Sequence, residues 1–238
     1  MKFGKPAKIH FSGDGVECEG MPADVQMAKD GAYLTITSAS AEPLAIELSG
    51  KTEDGALVLN VEAPLKLIFN NVVIKSKRGD AILSQGKGHV YAVLADGSVN
   101  ELYDCDNPEF AMFQGMPPGG MGMGGPKDLI AESKDNPADY HVQYGITMKK
   151  PQMKKKLKID GTFVCTGPLT ISGKGKLDVH SQNTVGIKSK ASLMFRPGNM
   201  ITVHAFPSGK GVNAKNELYI LGGALNVNCS FSQDKALT

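Results

Sequence analysis

Three consecutive stretches of the chain repeat one pattern of residues, and this pattern decides the fold. They read LTISGKGKLDVHSQNTVGIKSKAS from Leu169, LMFRPGNMITVHAFPSGKGVNAKNE from Leu193 and LYILGGALNVNCSFSQDKALT from Leu218. The three starts lie 24 and then 25 residues apart. A fixed period of this length is typical of a solenoid, in which each repeat forms one coil and stacked coils share a core.

Apolar residues recur at four positions of each repeat, and a glycine separates the first two positions from the last two. The aligned sets are Leu169, Leu193 and Leu218; Ile171, Phe195 and Ile220; Gly173, Gly198 and Gly222; Leu177, Ile201 and Leu225; and Val179, Val203 and Val227. Alternation of apolar with polar residues indicates strands with one buried face. A third short apolar stretch follows at residues 185–187 and 211–212.

Three short strands per coil predict an all-β fold, a right-handed parallel β-helix. The alternative is an antiparallel β sandwich, but its hairpins do not require the same residue types to recur at a fixed period. The first half of the chain carries a weaker version of the pattern. Its strand-like runs lie at residues 32–37, 44–48, 56–61, 65–69, 72–75, 89–94 and 99–103.

Between the two halves lies a segment without strand patterning. All twelve residues from 115 to 126 are Gly, Met or Pro, a composition that cannot bury enough surface to offset its ordering entropy. Residues of about 105–156 are therefore interpreted as an insertion loop, with a short helix around 127–134. We expect a single β-helix domain over residues 1–238, with eight to nine coils.

Composition excludes several classes of function. The formal net charge of +2 does not indicate nucleic-acid binding by the surface as a whole, and no run is long enough to span a membrane. The four cysteines are scattered without zinc-ligand spacing, and no GxSxG or phosphate-loop motif is present. With no tryptophan and 6% aromatic residues, the chain does not suit a flat aromatic platform for crystalline cellulose.

Residues 65–104, LKLIFNNVVIKSKRGDAILSQGKGHVYAVLADGSVNELYD, resemble the carbohydrate-binding β-helix family, bacterial surface proteins with a pectate-lyase-like fold. The later LTISGKGKLDVHS and GIKSK are similar to the repeated units of that family, and so is a Gly/Met/Pro-rich insertion after an acidic turn. The resemblance covers residues 30–238. It implies an extracellular or cell-surface location and binding of a polysaccharide, with an anionic one expected.

The resemblance also implies calcium in some members, held by a column of aspartates at a recurring Asp-Gly-Ile turn. Here that position holds Asp80 but also Val185 and Lys210, so most of the column is lost. The candidate metal ligands that remain are Asp80, Asp104 and Asp106. Calcium takes six to eight oxygen ligands, several of them carboxylates, and no other cofactor is expected.

Basic residues at equivalent turns of neighbouring coils are the main candidates for contacting an anionic polysaccharide. The candidate carbohydrate-binding residues are Lys188, Lys190, Lys210, Lys215, Arg196, Tyr140 and Tyr144. The lysines of adjacent coils are expected to lie close together, since parallel strands are about 4.8 Å apart. A solvated surface that keeps the solenoid soluble is the alternative, and it also applies to the lysine-rich residues 149–158. His180 and His204 occupy one position of successive coils and are expected to stack.

The function expected from these residues is non-catalytic recognition of an anionic polysaccharide at the cell surface. A polysaccharide lyase acting on uronate-containing glycans is the second interpretation, but it needs a base beside clustered carboxylates or cations, and no such group is apparent. The third is a structural or adhesive surface solenoid. The sequence does not determine the oligomeric state.

Overall fold

A computed structural model describes residues 2–105, 160–182, 185–205 and 210–229. Within these ranges the chain forms β-strands and no helix, which confirms the predicted all-β class. Accordingly, no described segment is a helix long and apolar enough to cross a membrane. The strands are β1 (Ala7–Ser12), β2 (Gly15–Glu19), β3 (Gln26–Asp30), β4 (Ala32–Ser38), β5 (Leu44–Thr52), β6 (Gly55–Val61), β7 (Leu65–Lys75), β8 (Ile82–Ser84), β9 (Val90–Leu94), β10 (Val99–Tyr103), β11 (Phe163–Cys165), β12 (Leu169–Gly173), β13 (Lys176–Ser181), β14 (Val185–Ser189), β15 (Leu193–Phe195), β16 (Met200–Ala205), β17 (Lys210–Ala214), β18 (Leu218–Ile220) and β19 (Ala224–Cys229).

Parallel pairing arranges these strands into three faces of a solenoid. Face 1 contains β5, β7, β9, β12, β15 and β18; face 2 contains the end of β7 with β10, β13, β16 and β19; face 3 contains β4, β6, β8, β11, β14 and β17. Faces 1 and 2 belong to one sheet, because β7 pairs with β9 through its first half and with β10 through its second half. The predicted parallel β-helix is therefore confirmed.

The inter-coil register matches the alignment of the three repeats. Leu169 pairs with Leu193, and Leu193 pairs in turn with Leu218 on face 1. On face 2, β13, β16 and β19 pair so that Val179, Val203 and Val227 are adjacent. The period of 24 to 25 residues is thus one full turn of the solenoid, and it places like residues on top of one another.

The core runs along the axis and is built from the inward positions of all three faces. Its largest fully buried side chains include Phe69, Phe163 and Phe195, and the rings of the first two lie 5.8 Å apart. Each such side chain contributes roughly 1.5–3 kcal/mol through removal of apolar surface from water. Because every coil shares this core with its neighbours, no coil is stable alone.

The number of coils is smaller than expected. Face 3 holds six parallel strands among the described residues, giving about six turns rather than eight to nine. The N-terminal residues add no further parallel strand to face 3, because β3 pairs antiparallel with β4, whereas β1 pairs parallel with β5 and antiparallel with β2. An antiparallel strand at the edge of face 3 occupies backbone groups that another chain would otherwise pair with. The predicted insertion at 105–156 lies, beyond residue 105, outside the described residues.

The aligned glycines form the bend between face 1 and face 2. Gly173, Gly198 and Gly222 all have positive φ, at 104°, 102° and 151°. A Cβ on Gly173 would lie 2.0 Å from the carbonyl oxygen of Leu94 in the preceding coil. The glycine is therefore required both by its backbone conformation and by the close approach of two coils.

We predict that Gly173→Ala lowers the free energy of unfolding by about 2 kcal/mol or more, since the side chain adds a clash to an unfavourable φ. Urea denaturation followed by far-UV circular dichroism measures the change. Gly79→Ala is the matched control, because a Cβ at Gly79 meets nothing within 4 Å. Equal stabilities of the two variants would contradict this account of the bend.

Candidate functional site

A column of stacked rings runs along the outer side of face 2. Tyr103, His180 and His204 are adjacent in the register of β10, β13 and β16. The rings of Tyr103 and His180 lie 4.2 Å apart at 5°, and those of His180 and His204 lie 4.6 Å apart at 11°. The expected stacking of the two histidines is confirmed.

The stacked geometry limits what this column is able to bind. The ring faces cover one another, and the ammonium of Lys75 lies 5.2 Å from the centre of the Tyr103 ring, so the column presents ring edges rather than a stacking platform. Burial, and secondarily the neighbouring His204, lowers the pKa of His180 below its ordinary value.

Two buried aspartates lie at the corner between face 2 and face 3. One oxygen of Asp80 accepts the backbone N–H groups of Asp160 and Gly161, at 3.0 and 3.1 Å. Asp104 accepts the backbone N–H of Gln182 at 2.7 Å and the hydroxyl of Ser181 at 2.9 Å. Both carboxylates therefore join neighbouring coils where the chain turns between faces.

Burial of Asp80 has an electrostatic consequence. Its pKa is raised to about 6, mainly because burial disfavours the charged form, and the nearby Asp160 and Asp104 raise it further. The two backbone N–H groups act in the opposite direction, because they stabilise the carboxylate.

Two of the three predicted calcium ligands lie within the described residues. Asp80 and Asp104 share one corner, but each is engaged by protein donors. Among the residues that the structure describes, no group of three His, Cys, Asp or Glu side chains is arranged to hold a metal ion. Asp106 lies outside the described residues, so the calcium site stays a prediction.

Three charged side chains form a partly buried cluster on face 3, here called the Asp160 clamp. The ammonium of Lys190 lies 2.8 Å from Oδ2 of Asp160, and that of Lys188 lies 3.5 Å from Oδ1. The Asp160 side chain is 16% exposed, whereas those of Lys188 and Lys190 are 24% and 42% exposed. One carboxylate is thus shared by two lysines that remain accessible to solvent.

The next coil adds two further lysines to this face. β14 pairs with β17 so that Val185 is opposite Lys210 and Ser189 is opposite Ala214. Extending this register by one residue places Lys215 opposite Lys190, and Lys215 is exposed. The four predicted lysines therefore lie on two adjacent strands of face 3 and their ends.

Of the other predicted contacts, only Arg196 lies within the described residues, and it is not on this face. Arg196 is exposed, as expected, but it follows β15 at the bend between face 1 and face 2. Tyr140, Tyr144 and the basic segment 149–158 lie outside the described residues.

Sequence reasoning missed Asp160. Its contact with the lysines spans 28 and 30 residues, and its position depends on where the chain re-enters the solenoid. The available signal was the pair Asp160-Gly161, since the register of β8, β11 and β14 aligns Gly161 with Asp80 and Val185. An acidic residue therefore directly precedes the position of the expected aspartate column.

Comparisons with known proteins agree with this architecture. A family model described as carbohydrate-binding domain-containing protein matches residues 30–114 and 142–237. Among solved structures, the chain is similar to a polysaccharide lyase-like protein from C. thermocellum, studied as a gadolinium derivative. That match has a TM-score of 0.56 and 21% identity, and it covers 97% of this chain and 76% of the other, which shows a shared fold. No curated protein matches the sequence.

The Asp80 pKa predicts how stability depends on pH. Because the folded-state pKa of about 6 exceeds the ordinary 3.8, the folded protein holds this proton more tightly than the unfolded chain. The stabilisation is fully present below the unfolded-state pKa of 3.8 and is lost as the pH rises through 6. Asp80→Asn keeps an oxygen that accepts both N–H groups but cannot ionise. We therefore expect its stability relative to wild type to increase by about 2.5 kcal/mol from pH 4 to pH 7.5.

Urea denaturation across this pH range measures the free energy of unfolding of Asp80→Asn and of wild type. Contributions from other titrating groups cancel in the difference between the two. A difference in unfolding free energy that stays constant with pH would contradict the raised pKa of Asp80.

Proposed function

Since the chain belongs to the family of carbohydrate-binding domain-containing proteins, we propose that it binds an anionic polysaccharide at the cell surface without cleaving it. Family membership supports a carbohydrate as the partner. The anionic character, the absence of cleavage and the location are the parts that belong to the proposal. The lysines of face 3 support the anionic character, and the resemblance to bacterial surface proteins supports the location.

The observation that carries this proposal is the grouping of four lysines on two adjacent coils of face 3. Lys188, Lys190, Lys210 and Lys215 are accompanied there by the carboxylate of Asp160, so these five side chains have a formal charge of +3. Lysine ammonium groups are compact charges with three donors each, and they suit carboxylates or sulfates presented along a flexible polymer.

The solenoid places Lys190 and Lys215 next to each other in register, at the spacing of about 4.8 Å between successive coils. Lys188 is opposite Asn213, and Lys210 is opposite Val185 at the other end of β17. A polymer that crosses this part of face 3 therefore meets several cations without folding of the protein around it. Binding of this kind depends mainly on exposed charges, and we expect it to weaken steeply as salt is added.

A lyase remains the second interpretation, and the structural neighbour is described as lyase-like. Catalysis of that type requires a base next to cations that neutralise the substrate carboxylate. The guanidinium of Arg78 is paired with Asp30 and lies 4.1 Å from the ring centre of Tyr33. Arg196 lies away from the lysine group. These arrangements favour binding over cleavage.

We predict that Lys190→Gln/Lys215→Gln weakens the apparent affinity for an anionic polysaccharide by about tenfold, through loss of two charge-assisted contacts. Affinity electrophoresis through polygalacturonate, alginate and neutral glucan, with and without calcium, measures retardation relative to a gel without polymer. Absorbance of unsaturated products is recorded on the same mixtures.

Lys5→Gln/Lys8→Gln is the matched control, because it removes the same charge at exposed positions in and before β1. Equal retardation of the two double variants would contradict binding through face 3. Formation of unsaturated product would replace the proposal with the lyase interpretation, and no retardation by any glycan would favour a structural solenoid.

A further inference from the structure

We propose that Asp160 competes with the polysaccharide for Lys188 and Lys190. Its carboxylate occupies the site of a ligand carboxylate and so determines the affinity of face 3. The inference rests on the proposed function, because it concerns the same lysines. In the unbound protein the Asp160 carboxylate accepts contacts from both Lys188 and Lys190. In the bound protein a carboxylate of the polymer takes over these ammonium groups.

The geometry of the Asp160 clamp is that of a bound carboxylate. Each oxygen of Asp160 faces a different ammonium, Lys190 at 2.8 Å and Lys188 at 3.5 Å. The two lysines alternate with the inward side chain of Ser189, so both project outward from the same strand and its end. A planar two-oxygen group supplied from solvent fits between the same ammonium groups.

The exposure of the three side chains allows exchange. Lys190 is 42% exposed and Lys188 is 24% exposed, so an incoming group reaches both without local unfolding. Asp160 itself is held at its backbone, where its N–H donates to Asp80 at 3.0 Å. The fixed backbone keeps the competing carboxylate near the lysines at all times, and its effective concentration is correspondingly high.

Competition by a tethered carboxylate lowers the affinity for any external one. The ion pairs are partly exposed, and such pairs are each worth up to about 1 kcal/mol, so removal of the competitor is expected to increase affinity about two- to fivefold. Removal also makes both lysines available to the polymer. The dependence of binding on salt is then expected to become steeper, because more counterions are released on binding.

The test is a mutant cycle on the full chain with polygalacturonate as the probe. Asp160→Asn retains the backbone N–H and the size of the side chain but removes its charge. We expect Asp160→Asn to bind about two- to fivefold more tightly than wild type, with a steeper slope of log Kd against log salt. In a Lys188→Gln/Lys190→Gln background the same substitution is expected to leave the affinity unchanged.

Asp160→Ser is measured in parallel, so that the result does not depend on one variant folding well, and thermal unfolding of each variant is recorded. If wild type binds the polymer and both Asp160 variants bind it with equal or lower affinity, the competitor role is overturned while the proposed function stays intact. A gain that persists without Lys188 and Lys190 would also overturn it. If neither wild type nor the Asp160 variants bind any anionic polymer, the proposed function itself is wrong.

Discussion

The hydrogen-bonded register between coils is the constraint on which the rest of the structure depends. Parallel strands of successive coils pair residue by residue, so a side chain always meets the residue 24 or 25 positions away in the regular repeats. The same register that stacks apolar side chains into a core stacks polar side chains into columns outside. Within the described residues, the ring column, the aspartate corner and the Asp160 clamp are each formed by residues of neighbouring coils.

The repeats beginning at Leu169 made this register predictable, including the stacking of His180 on His204. The N-terminal region was not predictable in the same way. Alternating residues in β1 to β3 fit a strand in either direction, and in the structure β1 pairs parallel with β5 but antiparallel with β2, while β3 pairs antiparallel with β4. Periodicity therefore predicts the interior of a solenoid better than its end.

The corner between face 2 and face 3 contains contacts that residue type alone does not predict. Asp80 and Asp104 were expected to be metal ligands from a family resemblance. In the structure both accept backbone N–H groups from the neighbouring coil. The direction in which a turn presents its N–H groups is a property of the folded backbone, and the spacing of the aspartates in the sequence does not specify it. Asp160 was not predicted for a similar reason. Its lysine partners are 28 and 30 residues away in the sequence and come close to it only in the folded solenoid.

Stacked coils bring like charges close together, and other groups reduce the resulting repulsion in different ways along the molecule. Glu53 lies within 2.8 Å of both Lys51 and Lys75, so opposite charges alternate at one end of face 2. Further along, His180 stays neutral more readily because burial and His204 lower its pKa. On face 3 one Asp160 is shared between two lysines, and the neighbouring coil adds Lys210 and Lys215. Asp160 relieves part of the repulsion between Lys188 and Lys190, and this ion-pair geometry is the basis on which we propose an anionic partner for face 3.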